Sequence, residues 1–149
     1  MKEKVTTGYL KGDVDTTVAG FPVRGNVGVQ VIGTQQSATG FAVDRTTCNG
    51  GTHSCDYNSV GKSHSYTDVL PSLNLTADLG GENLLRLGVG RVLARPNMED
   101  MKATVDPSYD STKGYYTGSG GNPNLEPFRA DVIDLSYEKY FGKKGYVSI

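Results

Sequence analysis

Cys48 and Cys55 bracket the stretch Cys48-Asn49-Gly50-Gly51-Thr52-His53-Ser54-Cys55, whose glycines let the chain turn back on itself. Two thiols so placed would close a small disulfide loop, a device suited to an oxidising, extracytoplasmic setting. Together with His53 and His64 they could instead offer thiolate and imidazole ligands to zinc. The spacing matches no standard ligand pattern, so the disulfide is the preferred reading and no metal is expected. Glu99 and Asp100, near Arg95, resemble an acid/base pair with an electrostatic helper. No nucleophile–base constellation accompanies them, and a short turn of helix over Pro96-Asn97-Met98-Glu99-Asp100-Met101 accounts for them as solvated carboxylates. Catalysis is therefore not expected. Gly88-Val89-Gly90 lacks the third glycine and the following helix of a dinucleotide site, and no cofactor is expected. Asn74-Leu75-Thr76 is formally a glycosylation sequon, discounted because it falls inside a strand pattern. The remaining candidates are Arg95, Tyr115, Tyr116, Asn122, Asn124, Glu126 and Arg129, a set of aromatic platforms, amides and charges of the kind that bind sugars or chelates. Their competing reading is ordinary loop packing.

The elements that must carry these residues are strands. Among 149 residues, 20 are Gly and 9 Tyr, with no Trp, a profile that favours strands and turns over helices. A net charge of −1 leaves no basic field for a phosphate backbone, so nucleic acid is not an expected partner. No run approaches the ~18 apolar residues of a transmembrane helix. The opening residues lack the apolar core of a secretory signal, which suggests a chain that has lost its beginning.

Period-two alternation recurs along the sequence. Val23, Val27, Val29 and Val31 share one face against Arg24, Asn26 and Gln30. Leu73, Leu75, Ala77 and Leu79 oppose Asn74, Thr76 and Asp78. Leu85-Arg86-Leu87-Gly88-Val89 and Ile133-Asp134-Leu135-Ser136-Tyr137-Glu138 repeat the pattern. Tyr9-Leu10-Lys11-Gly12-Asp13-Val14-Asp15 and Gly145-Tyr146-Val147-Ser148-Ile149 complete about six strands. Short links at Val18-Ala19-Gly20-Phe21, Gly80-Gly81-Glu82-Asn83 and Gly142-Lys143-Lys144-Gly145 alternate with long polar ones, from about Gln35 to Ser65 and from about Arg95 to Pro127. Short turns alternating with long loops are the plan of an outer-membrane barrel. Tyr66, Phe21, Tyr140, Phe141 and Tyr146 near strand ends suit its interfacial girdles. Arg91 continues the apolar phase from Leu85 through Val89. It either sits at headgroup height or follows a bulge near Gly88 or Gly90.

Tyr66-Thr67-Asp68-Val69-Leu70-Pro71-Ser72-Leu73-Asn74-Leu75 resembles a barrel strand that TonB-dependent receptors write Y-x-x-x-L-P-S-L-N-L. Leu93-Ala94-Arg95-Pro96-Asn97 resembles the family's strand ending in A-R-P, and Gly121-Asn122-Pro123-Asn124-Leu125-Glu126-Pro127 its G-N-P-x-L-x-P segment. Asp134-Leu135-Ser136-Tyr137-Glu138-Lys139-Tyr140-Phe141 is similar to the strand that follows, and Pro22-Val23-Arg24-Gly25-Asn26-Val27-Gly28-Val29 to an upstream R-G-N-x-G-x-R strand. The motifs occur in the family's order across nearly the whole chain.

The resemblance implies an all-β, antiparallel up-and-down meander, part of a transmembrane barrel of about 22 strands with a plugged lumen, in the outer membrane of a bacterium. Residues 1–149 would be a partial barrel domain, lacking the plug domain and the remaining strands, which would be its partners together with outer-membrane lipid, an imported small ligand and, indirectly, the TonB system. Val27, Val29, Leu73, Leu75, Leu85, Leu87, Ile133 and Leu135 would face lipid. The ligand could be a siderophore, a vitamin or an oligosaccharide. The runner-up from another class is a soluble extracellular all-β sugar-binding module, with the same aliphatic faces buried between two sheets. A hydrolase ranks last.

Overall fold

The structure, a computed structural model, describes residues 1–44, 46–47, 55–142 and 145–149. Its strands are β1 (Lys2–Val18), β2 (Phe21–Val43), β3 (Tyr57–Gly80), β4 (Asn83–Ala94), β5 (Val105–Asp110), β6 (Tyr115–Gly120), β7 (Phe128–Phe141) and β8 (Gly145–Ser148). Six of them form one sheet in the order β1-β2-β3-β4-β7-β8, and β5 pairs with β6 in a separate hairpin. All six strands expected from alternation are present as an up-and-down meander. The chain divides into two compact units: Met1–Thr6, Gly33–Tyr66 and Arg95–Phe128 in the first, and Thr7–Ile32, Thr67–Ala94 and Arg129–Ile149 in the second.

The second unit carries the tight turns. Ala19 and Gly20, at φ of 53° and 86°, and Gly81 and Glu82, at 61° and 66°, form two-residue links whose left-handed backbone matches the twist of the strands they join. Between β3 and β4, Leu73 faces Val89, Leu75 faces Leu87 and Ala77 faces Leu85, so these side chains share one face. The opposite face is charged and internally paired. Arg86 donates to Glu138 through Nε at 2.8 Å and Nη2 at 3.2 Å, Tyr140 donates its hydroxyl to Glu138 at 2.9 Å, and Arg24 lies 3.5 Å from Asp15.

Pairing runs without a shift from Leu84 to Gly90, and the irregularity lies instead between Asp78 and Gly80. The glycines of β4 therefore make no bulge in that stretch. Arg91 keeps the apolar phase and forms a bidentate pair with Asp131 at 2.7 and 3.0 Å, so each side chain offsets the other's charge. The aliphatic face carries nothing over it among the described residues: Ile133 is 74 % and Leu135 67 % exposed, and Val27 and Val29 are exposed too. A sandwich would bury these side chains against a second sheet.

In the first unit the strands run further than alternation suggests. β2 has 23 residues and β3 has 24, so much of the expected Gln35–Ser65 loop is paired backbone. A membrane crossing needs only ~9–11 residues, and both strands are longer than that. The second expected loop also has structure. Residues 97–102 form overlapping turns, with Asp100 N donating to Asn97 O and Met101 N to Met98 O, both at 3.2 Å, in place of the expected helical turn. The β5–β6 hairpin follows, its connection held by Asp110, whose Oδ1 accepts from the Thr112 and Lys113 amides at 3.0 and 3.1 Å.

Candidate functional site

In the upper part of β2, Thr34, Gln36, Ala38 and Gly40 are buried in strict alternation. They belong to the phase that is polar earlier in the strand, at Arg24 and Asn26. What covers them is the segment after β4, which contributes the buried side chains Met101, Ala103 and Pro127. Gly40 permits the close approach: a Cβ there would stand 2.7 Å from Ala103 C and Thr104 N. Gly121 does the same within the segment, where an added Cβ would meet Lys102 O at 2.6 Å and Asp100 O at 2.7 Å.

Three side chains outside this segment, Gln36, Glu3 and His64, pin it across the first unit. Gln36 donates from Nε2 to Pro123 O at 2.9 Å and to Leu125 O at 3.0 Å, using both amide hydrogens. Arg95 Nη1 lies 3.1 Å from Glu3 Oε1. His64 Nε2 lies 3.2 Å from Glu126 Oε1, with the His64 ring 5.8 Å from that of Tyr66. Buried Thr34 Oγ1 and Gln36 Oε1 have no hydrogen-bond partner among the described residues.

The candidate residues divide by what their polar groups already do. Asn122 is structural: its amide donates to Asp100 O at 2.7 Å, and its Oδ1 accepts from Asn124 N at 3.0 Å. Glu126 and Arg95 hold the segment in place as described. The Asn124 side chain is exposed, as is Tyr115 on β6, with Lys113 Nζ 5.8 Å from the Tyr115 ring centre. Tyr116 stands opposite Tyr109 in the hairpin. Arg129 belongs to the second unit, where its Nε donates at 2.5 Å to Asp68, a carboxylate with 2 % side-chain exposure. The structure thus gathers Arg95, Asn122, Asn124 and Glu126 on one covering segment, with Tyr115 and Tyr116 on the hairpin inside it. Sequence reasoning missed Gln36 and Glu3. The available signal was that Gln36 shares its phase with Thr34, Ala38 and Gly40, small or hydrogen-bonding residues suited to a covered face.

At the base of the first long connection, Asp44 accepts from the Thr46 hydroxyl at 2.6 Å, the Thr46 amide at 2.9 Å and Asn58 Nδ2 at 3.1 Å. The hydroxyl bond first, then the amide, hold its carboxyl below the usual range. Asp44 N also donates to Asp56 O at 2.8 Å. No described cysteine is free, while Cys48 and His53 lie outside the described residues. Among those described, no three metal-capable side chains cluster.

A long-stranded antiparallel meander, charged on one face and bare and aliphatic on the other, has the build of a β-barrel wall. The chain belongs to the TonB-dependent receptor family: the family model "TonB dependent receptor-like, beta-barrel" matches residues 5–149. Among solved structures it is similar to the siderophore receptor PirA from Acinetobacter baumannii, with 15 % identity, a TM-score of 0.43 and coverage of 94 % of this chain. The chain spans 25 % of that receptor's length. No curated protein matches it.

Proposed function

We propose that this chain forms part of the wall and mouth of an outer-membrane receptor that imports a scarce small ligand with energy from the TonB system. The observation that carries the reading is the two-faced sheet. Its aliphatic residues Val27, Val29, Leu73, Leu75, Leu85, Leu87, Ile133 and Leu135 suit lipid, while its charged face suits an aqueous or plugged lumen. Family membership supports the same reading. Within the first unit, the segment from Arg95 to Phe128 is pinned to β2 by Gln36. Ligand contacts fall to groups not already engaged in holding that segment, foremost Asn124 and the Tyr115 ring, and the ligand is a chelate or another compound rich in hydrogen-bonding groups. A Cys48–Cys55 disulfide would close a small loop within the first long connection. Import places this protein among binders and transporters and outside the enzymes.

The test is sedimentation of the purified chain with and without detergent, followed by circular dichroism of the soluble fraction. β-rich material that stays in solution only with detergent is the expected outcome. A compact β-rich monomer in plain buffer would sink the lipid-facing assignment.

A further inference from the structure

In the second unit, both hydrogens of the Asn83 side-chain amide are taken up inside the β3–β4 turn, by Gly80 O at 2.7 Å and Gly81 O at 3.0 Å. Its carbonyl oxygen is left to face β7, where two donors meet it: the Tyr137 hydroxyl at 2.6 Å and the Lys139 ammonium at 3.0 Å. Asn83 is neutral, so Lys139 gains a hydrogen bond there but no counter-charge. Among the described residues no carboxylate stands within ion-pair distance of Lys139. An ammonium carries three hydrogens and Asn83 accepts one, so Lys139 keeps donors for a further acceptor.

The face on which Lys139 stands is the aliphatic one. Arg86 pairs with Glu138, and a Cβ added at Gly88 would lie 3.6 Å from Asp134 Cβ, so the charged face of β7 carries Asp134, Ser136 and Glu138. The alternate positions run Ile133, Leu135, Tyr137, Lys139 and Phe141. On the neighbouring strand Val147 stands opposite Lys139, and the Phe141 ring centre is 5.8 Å from the ammonium. Asp131, before this aliphatic run, is neutralised by Arg91. Lys139, after it, has no such partner. An uncompensated cation at the border of a bare aliphatic face, between Tyr137 and Phe141 along the strand, matches the order of groups in a phospholipid, acyl chain and then phosphate. We propose that Lys139 binds the phosphate of an anionic phospholipid, with Asn83 and Tyr137 positioning the ammonium and the acyl chain lying along Leu135 and Ile133. This rests on the barrel-wall reading above, and every residue it uses belongs to the second unit.

The test uses the full-length protein. Flotation with phosphatidylcholine vesicles reads insertion, and competition of unlabelled phosphatidylcholine against fluorescent phosphatidylglycerol in a non-ionic detergent reads the headgroup. The expected result is insertion, a preference for phosphatidylglycerol, and weakening of that preference by about five-fold in Lys139→Gln. Lys11→Gln removes the same charge from the opposite face, where Lys11 lies 2.9 Å from Asp13, and should leave the preference intact. If Lys139→Gln fails to insert, Val147→Glu sets a carboxylate across from the retained lysine and should weaken the preference to the same extent. The proposal is overturned by the absence of a preference in the unaltered protein, by an unchanged preference in Lys139→Gln or in the variant that replaces it, or by an equal loss in Lys11→Gln. Displacement of the lipid by an equal concentration of inorganic phosphate also overturns it, since the site would then take a free anion. Failure of the unaltered protein to insert overturns the barrel-wall reading itself, a result distinct from all of these.

Discussion

Gln36→Met removes the clamp on the covering segment while keeping a side chain of similar length. The glutamine is 3 % exposed and donates to Pro123 O at 2.9 Å and Leu125 O at 3.0 Å. Each such bond contributes about 1 kcal/mol net, and losing both leaves two partly buried carbonyls without this donor, so the cost of releasing the segment should fall by about 2 kcal/mol. That is a change of about 30-fold in the opening equilibrium. Amide hydrogen exchange on the full-length protein in detergent reads it directly. The amides of Asn122, which donates to Asp100 O at 2.7 Å, and of Leu125, which donates to Asn122 O at 3.2 Å, should exchange about 30-fold faster. The amides of Tyr137 and Ile149, which exchange hydrogen bonds at 3.0 Å in the other unit, should not change. Unaltered protection at Asn122 and Leu125 would refute the reasoning and leave the close packing at Gly40 and Gly121 as what holds the segment. A uniform rise at all four amides would refute it differently, because the glutamine would then support the whole fold.

Other perturbations probe separate parts of the chain. Arg129→Ala leaves the Asp68 carboxylate, at 2 % side-chain exposure, without its cation. Because Arg129 is itself 36 % exposed, the expected loss is about 2–3 kcal/mol, at the low end for a broken buried pair, and adding Asp68→Asn should restore part of it in thermal unfolding. The lowered pKa of Asp44 means that its contribution to the turn is present above the unfolded-state value of about 3.9 and lost as pH falls through the lower folded value. Protection of the Thr46 amide should therefore disappear only in strong acid, and a loss already complete near neutrality would contradict the assignment.

The strand cores were legible because their chemistry is local. In Val27-Gly28-Val29-Gln30-Val31 and Leu73-Asn74-Leu75-Thr76, period-two alternation reports a two-faced strand whatever lies beside it. The turns at Ala19-Gly20 and Gly81-Glu82 were equally visible, since the two glycines tolerate the left-handed backbone that the short links require. The upper halves of β2 and β3 carried no such signal. Gln35-Gln36-Ser37-Ala38-Thr39-Gly40 reads as a polar loop, and it is a strand because backbone pairing and the covering segment hold it there. The β5–β6 hairpin was missed for a related reason: Val105-Asp106-Pro107-Ser108-Tyr109-Asp110 lacks alternation, and its clearest hint was the turn chemistry of Asp110 and Gly114. The position of Arg91 needed the sheet as well, because only the register of β4 rules against a bulge at Gly88, and only the neighbouring strand supplies Asp131 as its ion-pair partner. By itself the sequence determined the six strand cores, the two-faced pattern and the family, all written in side-chain order over a few residues. Which polar residues are buried, which candidates hold the covering segment and which remain open to a ligand were decided only by tertiary structure, because they depend on contacts between residues as distant in sequence as Gln36 and Leu125.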